Sequence, residues 1–398
     1  MIFLSLLFVC FYTLPICIIA MLQISHIKAQ NNVVILNESD FQIAKNYAIT
    51  MQIYSIFEAI FSGILFIFWV NLGLQLLASL IGVNGIVFQA IFVVLFLVIN
   101  AFLTLPLEAY KSLIIDKSFG FSKIGVKLFI LDSIKSLLML CIFGFLLGIA
   151  LIFLIENVAF WWIWGFAFMF VVAILANLIY PTIIAPLFNK FTPLNDESLK
   201  LRIEAIMKQV GFSASGIFVM DASKRDGRLN AYFGGLGKVK RVVLFDTLLS
   251  KVSQDELLAI LSHELGHFKH KDLLKNLLIM GIVLFLIFFI AGNLPTNLFS
   301  AFESGKNAGI TLCLLILISN LISFYCMPLI NFFSRKAEYK ADEFGASLTN
   351  NTDLGNALKK LVNENKAFPY SHKAFIFFYM SHPPLVERLK ALGVMQES

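Results

Sequence analysis

Charge is scarce in this sequence. Only 14% of its 398 residues are Asp, Glu, Lys or Arg, while 59% are hydrophobic, against about 25% charged and 45–50% apolar in soluble domains. A water-soluble globule of that composition would expose large apolar patches, so lipid has to cover much of the surface. The formal net charge of +6 comes with no basic patch interleaved with aromatics, which argues against nucleic-acid binding; lysines gathered on the cytoplasmic side of a membrane account for it. The five cysteines, Cys10, Cys17, Cys141, Cys313 and Cys326, all lie in apolar runs. None has the spacing of a metal site or redox motif, so they read as small buried hydrophobes. No internal repeat or low-complexity segment occurs.

Long apolar runs are what the sequence has instead. A spanning helix needs about 20 mostly apolar residues, and seven candidates meet that length: Phe3–Leu22, Ile53–Leu80, Ile86–Leu105, Leu137–Ile155, Val158–Tyr180, Leu277–Leu294 and Ile310–Leu329. The first has no positive n-region and no small-x-small cleavage site, so it reads as a retained anchor rather than a signal peptide. With the N-terminus outside, the outer connections fall near Gly82, Glu156 and Ala301–Ala308. Lys306 is then their one member of the 31 lysines and arginines, and Lys28, Lys45, Lys111, Lys117, Lys123 and Lys127 fall in short inner loops. This asymmetry predicts N-out, C-in. Glu58, Asn71, Gln75, Gln89 and Asn100 sit inside the apolar runs and must face protein or water; interhelical hydrogen bonding and a hydrated cavity explain them equally well.

The chain divides by composition into residues 1–180 with five spans, a polar region 181–276, spans six and seven over 277–330, and a C-terminal region 331–398. In the first polar region the patterning predicts a helix over Glu197–Val210 and strands at Gly216–Asp221, Asn230–Gly235 and Arg241–Phe245. The last two form a hairpin across a turn at Gly237–Lys240. Ser253-Gln254-Asp255-Glu256 reads as a capping box opening a helix that carries His263-Glu264-Leu265-Gly266-His267.

That segment is an H-E-x-x-H motif. Residues four apart share a helix face, so His263 and His267 can turn imidazole nitrogens to one ion, while Glu264 borders the same face and can take a proton from an activated water. With six histidines in the chain a chance match is uncommon, and this one falls on a capped helix beside a membrane span. A catalytic zinc usually takes a third protein ligand and keeps one position open. His270 lies too far around the helix and reads as solvated or outside the ligand set. Glu338 and Asp342, four apart in a predicted helix, suit a ligand and an outer partner for a ligand histidine; by themselves they suit a solvated charged helix better. Two imidazoles and a carboxylate make a single zinc ion the expected metal.

Phe188-Asn189-Lys190-Phe191, Asn230-Ala231-Tyr232-Phe233, His263–His267, Ser334-Arg335 with Glu338 and Ala341-Asp342, and Ser381-His382-Pro383-Pro384 with Arg388 together resemble the type 1 CAAX prenyl proteases, membrane zinc metallopeptidases with a gluzincin-like centre. The resemblance spans nearly the whole chain. It implies a mostly α polytopic membrane protein whose seven helices surround a chamber capped by a small α+β protease region. It implies His263, His267 and Glu338 as zinc ligands, Glu264 as general base and Asp342 as outer support. It further implies His382 and Arg388 as groups that hold substrate and stabilise an oxyanion, and Asn230, Ala231 and Tyr232 as a cleft-lining edge strand to which an extended peptide adds. Pro383 and Pro384 would open a short helix behind His382. The expected partners are a peptide or protein substrate and the bilayer. The Phe-, Lys- and Ile-rich composition points to a bacterial inner membrane, with the active site on the cytoplasmic side. Two alternatives stand beside this reading. One is a membrane quality-control metalloprotease, although such enzymes have fewer spans. The other is a non-enzymatic scaffold or transporter, against which stand the intact Glu264 and the lack of paired Gly/Pro-broken helices. Oligomeric state is not legible in the sequence.

Overall fold

The structure is a computed structural model and describes residues 1–235, 240–303 and 305–395. Seven helices are long and apolar enough to cross a bilayer: α1 (Ile2–Ala29), α2 (Glu38–Ile81), α3 (Ile86–Ser118), α4 (Val126–Asn157) and α5 (Trp161–Phe188), then α8 (Asp272–Gly292) and α9 (Ala308–Leu348). Each of the seven predicted runs lies within or largely overlaps one of them. Between α5 and α8 come β1 (Phe191–Pro193), α6 (Glu197–Gln209), β2 (Ile217–Met220), β3 (Ala231–Gly234), β4 (Arg241–Phe245) and α7 (Gln254–Lys269); α10 (Asn351–Glu364), α11 (Lys373–Tyr379) and α12 (Leu385–Ala391) close the chain.

The helices begin where side chains satisfy their free N–H groups. Asn37 accepts from Asp40 N at 2.8 Å at the start of α2, and Asn307 accepts from Ile310 N at 2.8 Å at the start of α9. At α7 the predicted capping box is closed both ways: Ser253 N donates to Glu256 Oε2 at 2.7 Å and Glu256 N to Ser253 Oγ at 3.2 Å.

The sheet order is β1-β2-β4-β3. β4 is central, parallel to β2 and antiparallel to β3, with Ala231 opposite Leu244 and Phe233 opposite Val242. Its Val-Val-Leu core is fully buried, as expected for a strand covered on both faces. The expected turn Gly237–Lys240 lies, but for Lys240, outside the described residues. Leu199, Ile203, Leu257, Leu261 and Leu265 pack α6 and α7 onto Val242 and Leu244 in one core. β3 is left as an edge, paired on one side only.

The compositional boundaries at 180, 276 and 330 each fall inside a helix, in α5, α8 and α9. Loss of hydropathy marks where a helix leaves lipid, not where it ends. α9 shows this most clearly. Its 41 residues span about 62 Å at 1.5 Å per residue, twice the roughly 30 Å hydrocarbon thickness, so its second half projects beyond the bilayer against the small α+β region.

The polar residues inside the spans divide between the two uses left open by the sequence. Gln89 bridges helices, donating to Glu156 Oε1 at 2.6 Å and accepting from Gly309 N at 2.9 Å. Asn71 donates to Ser5 Oγ at 2.8 Å, and Gln75 accepts from Glu303 N at 3.1 Å. Glu58 lines a cavity of about 450 Å³ between the spans, with Ser55, Ser62, Thr104 and Asn320, and Asn100 does both, lining it while accepting from Trp69 Nε1 at 3.2 Å.

The segment between β2 and β3 fastens the small α+β region to the spans. Arg225 forks onto Asp132 of α4 at 2.8 and 3.0 Å. Arg228 reaches Asp116 of α3 at 3.0 Å and lies 4.4 Å from the Phe121 ring centroid.

Candidate metal centre

The site forms where α7 crosses the projecting arm of α9. Two glycines make the crossing close. A Cβ on Gly266 would stand 2.9 Å from Ala341 Cα, and one on Gly345 would stand 2.8 Å from His263 N. At that separation the carboxylate of α9 reaches both imidazoles of α7.

His263, His267 and Glu338 each offer a donor atom, and the three lie within 4.8 Å of one another. His263 Nε2 is 3.5 Å from Glu338 Oε2, and His267 Nε2 is 3.3 Å from Glu338 Oε1. Ligands about 2.0–2.1 Å from a tetrahedral ion are spaced about 3.3 Å from each other, so the separations suit such an ion. Among the described residues Glu338 Oε2 is buried with no hydrogen-bond partner, its nearest cation being Arg388 Nη1 at 3.4 Å. A buried carboxylate that turns one oxygen to each of two imidazole Nε2 atoms is a fitting arrangement for a divalent cation.

The other ring nitrogens face carboxylates. His267 Nδ1 lies 3.0 Å from Asp272 Oδ2. His263 Nδ1 lies 2.8 Å from Asp342 Oδ1, close but poorly aligned for a hydrogen bond. Such partners fix the tautomer that leaves Nε2 free for metal. Burial alone would push His267 down; Glu338 and Asp272 outweigh it and, in the metal-free site, raise the imidazole to about 9. Lys275 in turn holds Asp272 Oδ1 at 2.7 Å.

Glu264 lines a cavity of about 290 Å³ together with His263, Glu338, His382, Asn230 and Ala231. Some of its surface is open, yet it sits deep among protein atoms. That desolvation pushes its carboxyl above the usual range, against the pull of His263 and His267. His382 is exposed on the cavity wall with Nε2 3.2 Å from Glu338 Oε1. It stands just before Pro383 and Pro384, the latter capping α12. Arg388, on α12, is buried and forked onto Asp342 at 2.8 and 2.6 Å, with Nη1 3.4 Å from Glu338 Oε2. Its guanidinium is engaged with the carboxylates that support the ligands.

Asn230 and Ala231 face the cavity. The Tyr232 ring turns to the other face of the sheet, beside Phe245, so only its main chain is offered on the cleft side. His270 closes α7 and meets the Phe344 ring edge-on, 5.9 Å between centroids, outside the ligand set. Asp272 is the residue sequence reasoning missed. It begins α8, beyond the helix that carries the motif, and comes back to His267 because Lys271 adopts the left-handed conformation (φ 57°) and turns the chain sharply.

Known proteins resemble this chain over most of its length. Residues 193–396 match the family model of peptidase family M48, and residues 23–190 match that of the CAAX prenyl protease N-terminal region of five membrane helices. The CAAX prenyl protease 1 homolog of Dictyostelium discoideum is 36% identical, with 86% of this chain and 82% of that protein covered. Its Homo sapiens counterpart is 33% identical over 77% and 74%, and the Saccharomyces cerevisiae CAAX prenyl protease 1 is 34% identical over 75% and 70%. The crystal structure of S. mikatae Ste24p superposes with a TM-score of 0.87 at 29% identity, covering 98% of each chain.

Proposed function

The chain belongs to peptidase family M48 as an integral-membrane metallopeptidase of the CAAX prenyl protease 1 type, and from that premise we propose how its residues divide the work. His263, His267 and Glu338 hold one zinc ion. The observation that carries this is the meeting of two Nε2 atoms around one buried carboxylate beside Glu264. Zinc is favoured because the donor set is nitrogen and oxygen with the spacing of a tetrahedral site. When bound, the ion supplies Lewis acidity toward the scissile carbonyl and lowers the pKa of a water.

The substrate is a membrane-associated polypeptide, and its segment about the scissile bond lies extended along the free edge of β3, the main chain of Asn230–Tyr232 pairing with it. Glu264 accepts the proton of the attacking water and delivers it to the leaving amine, the exchange of roles that general acid–base catalysis requires. His382, exposed on the cavity wall, donates to the oxygen on which negative charge develops. Arg388 lines the same cavity and, anchored by Asp342, helps His382 hold substrate and stabilise the oxyanion. Residues 181–276 and 331–398 form one catalytic unit, joined through the crossing of α7 and α9. The Lys/Arg asymmetry favours an outside N-terminus with this unit in the cytoplasm. The Phe-, Lys- and Ile-rich composition favours a bacterial inner membrane; the relatives named above are eukaryotic, so that placement rests on composition alone.

The test is Glu264→Gln in the full-length protein, with metal content and peptide cleavage measured together. Metal is expected to stay at one ion per chain, while kcat falls about 10²–10⁴-fold, the usual contribution of general acid–base catalysis. Cleavage at the wild-type rate would remove Glu264 from the mechanism.

A further inference from the structure

On the lipid side of the metal centre, α8 and α9 leave a groove of about 530 Å³ between them. Its floor is apolar: Leu278 is 66% exposed, Ile282 52% and Phe333 49%. Its mouth is basic, with Lys275 from α8 and Lys336 and Lys340 from α9. Lys336 and Lys340 are one helical turn apart and share a face. Neither has a carboxylate within ion-pair distance among the described residues; Lys336 lies 4.4 Å from the Phe332 ring centroid. Exposed Glu343, one turn beyond Lys340, forms no such pair with it. The acid that does line the groove, Asp272, already holds both Lys275 and His267. The groove therefore joins an uncovered apolar trough to an excess of positive charge, at the level where two spans leave the bilayer.

We propose that this groove binds one anionic phospholipid, its phosphate drawn to Lys336, Lys340 and Lys275 and an acyl chain lying along Leu278, Ile282 and Phe333. Charge complementarity selects the occupant. Basic pockets between spans on the cytoplasmic side attract anionic headgroups, whereas the ammonium of a zwitterionic lipid would be set against three lysines. The proposal needs the chain to be membrane-embedded and does not depend on the roles given to the catalytic residues.

The test uses the full-length protein in nanodiscs, with lipid retention read by native mass spectrometry. Phosphatidylglycerol should be retained in preference to phosphatidylcholine of the same chain length. The double variant Lys336→Gln/Lys340→Gln should lower the apparent affinity for phosphatidylglycerol about 30-fold, the loss expected for two surface lysines. The paired Lys→Arg variant should restore it, and it keeps the test decisive if the glutamine variant folds poorly. Equal retention of the two lipids, or an unchanged double variant, would overturn the proposal. So would displacement of phosphatidylglycerol by inorganic phosphate, or by farnesol as readily as by a second anionic lipid; these would mark a simple anion site or a prenyl-chain site.

Discussion

Around the proposed metal ligands, polar side chains are tied to one another in a continuous set. Arg388 holds Asp342 and approaches Glu338, Asp342 faces His263, and Lys275 holds Asp272, which faces His267. In the cavity between the spans, Glu58 and Glu108 line the wall and make no ion pair among the described residues. The first arrangement fixes donor atoms to within a few tenths of an ångström, which metal coordination demands. The second leaves its two carboxylates without such ties, although Asn100 accepts from Trp69 Nε1 at 3.2 Å. Rigidly held donors and loosely held charges thus occupy separate regions of the molecule.

If that division holds, the same chemical change should have very different effects in the two places. Glu338→Gln removes a charged ligand, so metal content should fall to background and cleavage with it. Glu58→Gln should leave metal content unchanged and cleavage of a short peptide within about twofold, as for surface substitutions in general. Equal losses in both variants would erase the distinction.

A smaller effect is expected one contact further out. Asp272→Asn keeps the shape beside His267 and removes the charge, and loss of such a partner typically lowers metal affinity about 10–100-fold. The pH dependence sharpens the point. In the metal-free site His267 is raised from 6.5 to about 9, so its protonated form stabilises the fold fully below pH 6.5, and that contribution is lost as pH rises through 9. Metal needs the neutral ring. Apparent affinity in the wild type should therefore fall about tenfold for each pH unit below 9 while His267 alone takes up the proton. In Asp272→Asn the onset should move to lower pH. Equilibrium dialysis against a metal buffer over pH 6–10 would show both.

What could be read from the chain in advance follows from what is local. The seven spans, the capping box at Ser253–Glu256 and the H-E-x-x-H face each depend on residues within a few turns of one another. The hairpin strands were legible from the short Gly-containing turn between them, and Tyr232 turning away from the cleft follows from the two-residue period of a strand. Glu338 was ambiguous because a charged helix face looks alike whether it meets solvent or an ion; the resemblance to a known family supplied what periodicity did not. Asp272 was invisible, since its return to His267 depends on the backbone of Lys271. The boundary at 330 misled for a different reason. Hydropathy reports which half of α9 meets lipid, and says nothing about the helix continuing past it.

The crossing of α7 and α9 offers the finest contrast with the membrane spans. Gly345 and Gly148 are both buried helical glycines at helix contacts. A Cβ on Gly345 would come within 2.8 Å of the His263 backbone nitrogen, whereas one on Gly148 would meet the Ala90 methyl at 3.8 Å, an ordinary van der Waals contact. Gly345→Ala has backbone on the opposing side and nothing flexible to give way, so the helices must part. Overpacking of that kind costs about 1–3 kcal/mol, and the shift falls on the residue that carries a metal ligand. Gly148→Ala should be neutral or slightly stabilising, since alanine in a helix is favoured over glycine by roughly 1 kcal/mol. Thermal unfolding of the two variants, with metal affinity measured on each, tests the claim. A Gly345→Ala protein with wild-type affinity and melting temperature would mean that the close crossing does not set the geometry of the centre.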